Sequence, residues 1–149
     1  MNILVAEDNV EKIRQIKELL LDKLCFNMKN ITFTNNKEDT IELLTNKSFN
    51  FLILDMSLPR YKNDMNDIKH LAGKDILIFM RHRRKSIPSI VITQHDVFGH
   101  HNSQISLDNL RNELMSDFSK ILIGVLAWDS SSEHWKEELK HSIESTMNL

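Results

Sequence analysis

Apolar and polar positions along the chain follow two alternating rhythms. Residues 2–6 (NILVA) form a short apolar run that ends at the acidic pair Glu7-Asp8. Beyond it Val10, Ile13, Ile16, Leu20 and Leu24 recur at helical spacing. That spacing predicts an amphipathic helix with its Lys, Arg and Glu residues on the side away from the core. Ile31 and Phe33 alternate with polar neighbours and predict a second strand, and Ile41, Leu43 and Leu44 mark a short second helix. FNFLILD is an almost continuous apolar run closing on Asp55, the pattern of a central strand buried on both faces.

The stretch from Arg60 to His70 is polar and rich in Asn and Asp, and reads as a loop or loosely attached helix. A third helix runs from about Gly73 to the basic cluster Arg81-His82-Arg83-Arg84-Lys85. Pro88 opens a fourth strand (PSIVIT), and QHDVFGHHNSQ follows as a loop. Ser106 is placed to cap a helix over LDNLRNELMSDF, and ILIGVLAW is a fifth strand. Ser130 and Glu133 have capping-box spacing for a last helix, on which Trp135, Leu139, Ile143 and Met147 make one apolar stripe. Five strands alternating with helices predict an α/β fold, a parallel sheet covered on both faces. With no internal repeat and no linker, residues 1–149 are expected to be one domain.

Composition narrows the function classes. The chain has 41% apolar and 27% charged residues, values of an ordinary globular domain. Nineteen basic against 21 acidic residues leave a net charge of −2, so no direct nucleic-acid partner is expected. No apolar run approaches the roughly 18 residues of a membrane span, and acidic residues come too early for a signal peptide; the expected location is cytoplasmic, with no membrane partner. The single Cys25 excludes an internal disulfide framework and a Cys-based zinc site. It follows an apolar helical stretch and reads as buried. Gly73, Gly99 and Gly124 are too scattered for a dinucleotide fingerprint or a P-loop.

The candidate chemistry sits at strand ends. Glu7 and Asp8 follow the first strand, Asp55 closes the third and Thr93 ends the fourth. In open α/β sheets ligands bind beyond the carboxyl ends of the strands, where the strand order reverses. Carboxylates converging there repel one another unless a cation neutralises them, and hard oxygen donors suit Mg²⁺. An aspartate so placed is a potential nucleophile toward phosphorus. The bland alternative is a set of solvated loop residues and helix caps.

The order ILVAEDN, FLILDMSLP, IPSIVIT resembles the receiver domain of bacterial two-component response regulators over most of the chain. The resemblance implies a flavodoxin-like, doubly wound sheet of order 2-1-3-4-5 with helices on both faces. It also implies Asp55 as phospho-acceptor, Thr93 as switch hydroxyl, and Mg²⁺ held by Glu7, Asp8, Asp55 and the Ser57 backbone carbonyl. Leu58-Pro59 is similar to the family's turn after the acceptor. The implied function is a stand-alone receiver, not an enzyme in its own right. It would take a phosphoryl group from a phosphohistidine on a sensor histidine kinase or phosphotransfer protein and signal through a further protein partner. A homodimer is compatible with this.

Two departures stand out. The family normally ends the fifth strand with Lys-Pro, the lysine pairing with the phosphoryl group; here the region reads Val125-Leu126-Ala127-Trp128-Asp129. Lys120 stands at the wrong end of that strand, and Trp128 is a candidate cover for the site. Added length separates Pro59 from Gly73 and extends the segment from Gln94 to Ser119. These features leave open a pseudo-receiver, an interaction module that does not use phosphorylation. A small Mg²⁺-dependent phosphohydrolase is a further alternative, although Ser57 stands where a second acid is wanted. His95, Asp96, His100 and His101 read either as a polar loop, as transition-metal ligands, or, for His95, as a cation over the acceptor. The basic cluster reads as favourable charge at a helix C-terminus or as a phosphate contact.

Overall fold

The computed structural model describes residues 1–61, 68–69, 71–94, 97–98 and 105–148. The five predicted strands become β1 (Ile3–Ala6), β2 (Ile31–Thr34), β3 (Phe51–Leu54), β4 (Ser89–Thr93) and β5 (Leu122–Ala127). They form one parallel sheet in the order β2-β1-β3-β4-β5, the flavodoxin-like order. Ile3 stands in register with Ile31 and Phe51, and Ala6 with Thr34 and Leu54. Thr93 is the partner of Ala127. β1 and β3 therefore end level, and the residues after them emerge at one edge. Three more backbone bonds carry the pairing past the strand ends: Glu7 N–H to Thr34 O at 2.9 Å, Asp55 N–H to Ala6 O at 3.0 Å, and Trp128 N–H to Thr93 O at 2.9 Å.

The helices are α1 (Val10–Glu18), α2 (Lys37–Asn46), α3 (Ala72–His82), α4 (Leu107–Asp117) and α5 (His134–Met147). Successive strand residues face opposite sides, so β1, β3, β4 and β5 each feed two cores. Leu4, Leu52, Leu54, Val91 and Val125 pack with Leu44 of α2, Ile76 and Met80 of α3, and Leu110 and Leu114 of α4. Ile3, Val5, Phe51, Ile53, Ile90 and Ile92 pack with Ile16 of α1 and with Trp135, Leu139 and Ile143 of α5. That is why β1, β3 and β4 carry no exposed position. Among the described residues no helix is long and apolar enough to cross a membrane.

Two short antiparallel ladders of two residues each lie outside the main sheet. Leu58–Pro59 pairs with Ile68–Lys69, and Val97–Phe98 with Ile105–Ser106. His95, Asp96, His100 and His101 lie outside the described residues, as does most of the polar stretch ending at His70.

Several local expectations are corrected. Val10 is 82% exposed, whereas Lys12 and Gln15 are buried beside Ile16. Helix α1 is thus rotated from its hydrophobic pattern and turns a lysine inward. A π-helical turn, Leu19–Lys23, follows α1 and buries Leu19 and Leu20. Cys25 is exposed at φ 58° rather than buried, because the chain reverses there towards β2. No capping box forms at α5. Asp129 Oδ1 instead accepts from Ser131 N–H and Oγ–H at 2.9 and 2.8 Å, and Ser132 Oγ accepts from His134 N–H at 3.1 Å. Ser106 does cap α4, its Oγ accepting from Asn109 N–H at 3.2 Å. The basic cluster is used in packing at the end of α3: Arg81 lies over the Phe118 ring at 4.8 Å and donates to Asp117 O at 3.2 Å.

Candidate functional site

The carboxyl edge of the sheet gathers the residues expected there. Glu7 leaves β1 and Asp55 leaves β3, both buried, with Asp8 half-buried beside them. One carboxylate oxygen from each of Glu7, Asp8 and Asp55 lies within 4.8 Å of the others. Ser57 is buried two residues beyond Asp55, and Thr93 is fully buried at the end of β4. Among the described residues, Asp55 Oδ1 and Thr93 Oγ1 are the buried side-chain atoms without a hydrogen-bond partner. An unpaired buried polar atom costs free energy, so both are placed for a group that arrives from outside.

The segment carrying Asp55 is held from below by Gly73. Its N–H donates to Met56 O at 3.0 Å. A Cβ at Gly73 would lie 2.7 Å from both Asp55 O and Met56 Cε, so only glycine lets α3 approach this closely.

Glu7 is fully engaged. Its Oε1 accepts from the backbone N–H of Asp8 at 3.1 Å and of Asn9 at 3.0 Å. Its Oε2 lies 2.6 Å from Lys12 Nζ. The same ammonium stands 3.3 Å from Asp55 Oδ1 and donates to the Ile92 carbonyl. Asn9 supports this arrangement by capping α1, its Oδ1 accepting from Lys12 N–H at 3.0 Å. Burial pushes the Glu7 carboxyl up to about 8, with Lys12 opposing and the charge of Asp55 adding to the rise. Burial and Asp55 also raise Asp8. Ionised together, these acids call for positive charge beyond what Lys12 supplies.

Lys12 is the residue that hydrophobic patterning misses, because a period count scores every lysine as outward. One signal was available: a lysine in the first turn of a helix, where the dipole disfavours cations, just after an acidic pair. The donor set fits Mg²⁺: hard carboxylate oxygens lie within 4.8 Å of one another, and Asp55 Oδ1, although 3.3 Å from the Lys12 ammonium, has no hydrogen-bond partner.

No protein-family model matches the chain. It is 34% identical over 145 residues to the Detocs response regulatory protein DtcB of Enterobacter cloacae (strain JD6301), covering 93% of this chain and 95% of that protein. The chain belongs to the response-regulator receiver family. Solved receivers share the fold. The phosphorylated cyanobacterial phytochrome response regulator RcpA superposes with a TM-score of 0.64 at 18% identity, over 98% of this chain and 93% of that one. TrrA of Thermotoga maritima, solved in complex with Mg²⁺-BeF, gives 0.56 at 16% identity over 95% and 99% of the two chains.

At the end of β5 this receiver has the exposed Ala127 and then Trp128. The indole packs against the core formed by α1 and α5, and its Nε1–H donates to Gln15 Oε1 at 3.1 Å. Trp128 is therefore turned towards α1. Lys120 lies near Arg81, Arg84 and Lys85 around a cleft of about 360 Å³ at the other end of the strand.

Proposed function

We propose that this receiver accepts a phosphoryl group on Asp55 from a phosphohistidine of a sensor histidine kinase or phosphotransfer protein. The whole chain would act as a single domain and pass the signal on by protein contact. The observation that carries this reading is the buried Asp55 carboxylate among Glu7, Asp8 and the unpartnered Thr93 hydroxyl at one sheet edge. Similarity to a response regulatory protein over nearly the full length supports it.

Asp8, Asp55 and the Ser57 carbonyl would hold Mg²⁺, with Glu7 at its side. When bound, the ion screens the negative charge of the incoming phosphoryl oxygens. Asp55 would attack phosphorus in line with the leaving nitrogen. The buried Thr93 hydroxyl would then donate to a phosphoryl oxygen. That new bond would repack the α4 face, biasing a two-state element.

The test is intact-mass measurement after incubation with Mg²⁺ and acetyl phosphate, beside Asp55→Asn. One added phosphoryl group in the wild type and none in the variant is the expected result. No adduct on either, with Mg²⁺ still bound, would replace this reading by a docking module that works without phosphate.

A further inference from the structure

We propose that Lys12, from the first turn of α1, supplies the cation that the end of β5 lacks, its ammonium holding an oxygen of the phosphoryl group on Asp55. The inference rests on the phospho-acceptor reading above and adds a residue to it.

An ammonium has three N–H donors and no acceptor. Lys12 commits two of them, to Glu7 Oε2 at 2.6 Å and to the Ile92 carbonyl. The third has Asp55 Oδ1 nearby at 3.3 Å. That is longer than the roughly 2.7–2.9 Å of a good charge-assisted bond, and Oδ1 is without a hydrogen-bond partner. Two firm anchors and one under-used donor describe a cation fixed in position with capacity left for an incoming anion. The Ile92 anchor lies one residue before Thr93, so the ammonium and the unpartnered hydroxyl are both fixed to the end of β4.

Neither solvation nor helix electrostatics accounts for this placement. Lys12 is 1% exposed, and the first turn of a helix disfavours positive charge. Other cations near the sheet are committed elsewhere: Arg111 bonds Val125 O and Asp108 on the α4 side, and Lys74 pairs with Glu113. Among the described residues Lys12 is the one basic side chain paired with Asp55. The exchange at β5 is consistent with it, since Trp128 bonds Gln15, one turn beyond Lys12 on the same inward face of α1.

In the transfer an Asp55 oxygen forms a bond to phosphorus as the donor's N–P bond breaks. The electron pair stays on the imidazole nitrogen, and the ring leaves neutral if its other nitrogen carries a proton. Lys12 remains an ammonium throughout. It gives up no proton and contributes a charge-assisted hydrogen bond to the transferred group.

The experiment uses the full chain, wild type and Lys12→Gln, with beryllofluoride as the phosphoryl mimic in saturating Mg²⁺, and Mg²⁺ alone as a separate titration. Calorimetry should show beryllofluoride bound roughly tenfold or more weakly by the variant. Mg²⁺ affinity should be unchanged or tighter, because a competing cation has left. Equal beryllofluoride affinity in the two proteins overturns the proposal. So does an equal loss of Mg²⁺ and beryllofluoride affinity, which would mean that Lys12 only holds Glu7 in place.

A wild type that takes neither beryllofluoride nor phosphoryl removes the phospho-acceptor reading itself, and this inference with it. Should Lys12→Gln fail to fold, ¹⁵N-lysine spectra of the unaltered protein decide. The Lys12 ammonium resonance must move when beryllofluoride is added to the Mg²⁺-bound protein, and an unmoved resonance overturns the proposal.

Discussion

Trp128 Nε1 donates a 3.1 Å hydrogen bond to Gln15 Oε1, joining the chain after β5 to the inward face of α1. Gln15 is buried and its amide also donates to Glu11 and to the Ser130 carbonyl. Trp128→Phe removes the donor and leaves a buried acceptor unpaired. The expected loss is about 1–3 kcal/mol, read from the urea midpoint. No measurable loss would mean the bond does not hold α1 in place.

Glu7 should make the metal-free protein sensitive to alkaline pH. Its carboxyl is raised from 4.5 to about 8 by burial, so the folded state binds this proton more tightly than the unfolded chain. The resulting contribution to stability is complete below pH 4.5 and is lost as pH rises through about 8. In EDTA the wild type should lose melting temperature across that window more steeply than Glu7→Gln. Saturating Mg²⁺ should flatten the difference, because a bound cation favours the ionised carboxylate. Parallel curves for the two proteins in EDTA would rule the mechanism out.

Thr93→Val should leave the metal-free protein as stable or up to about 1 kcal/mol more stable, since it removes a buried hydroxyl that has no partner. The variant should still gain a phosphoryl group on Asp55 by mass. A marked destabilisation would show that the hydroxyl is bonded in the resting protein.

Gly73→Ala places a methyl 2.7 Å from Asp55 O and Met56 Cε. The methionine end can move aside, but the carbonyl cannot without shifting the acceptor segment. The cost should be about 1–3 kcal/mol by denaturation, with weakened Mg²⁺ affinity in the same protein. Unchanged affinity alongside lost stability would confine the effect to packing of α3.

Much of the acidic site was legible from one rule. In a parallel doubly wound sheet, residues that close neighbouring strands meet at one edge, so with the strand order that the family resemblance implies, Glu7, Asp8, Asp55 and Thr93 could be placed together without coordinates. Helix caps were legible where one side chain decides them, as at Ser106. The turn before α5 was not, because Asp129, Ser131 and Ser132 share its hydrogen bonds and Ser130–Glu133 spacing alone does not choose among them.

By itself the sequence determined the alternation of strands and helices, the two-faced burial of β3, and the carboxylates that follow β1 and β3. These follow from local periodicity and chain direction, which neighbouring residues fix. The tertiary structure alone decided the rotation of α1, with Val10 in solvent and Lys12 inside. A hydrophobic count takes the charge on a side chain as a reason to face water. Buried Glu7 and Asp55, from two different strands, provide an electrostatic partner that reverses that preference, and only the assembled sheet edge brings them within reach of one ammonium.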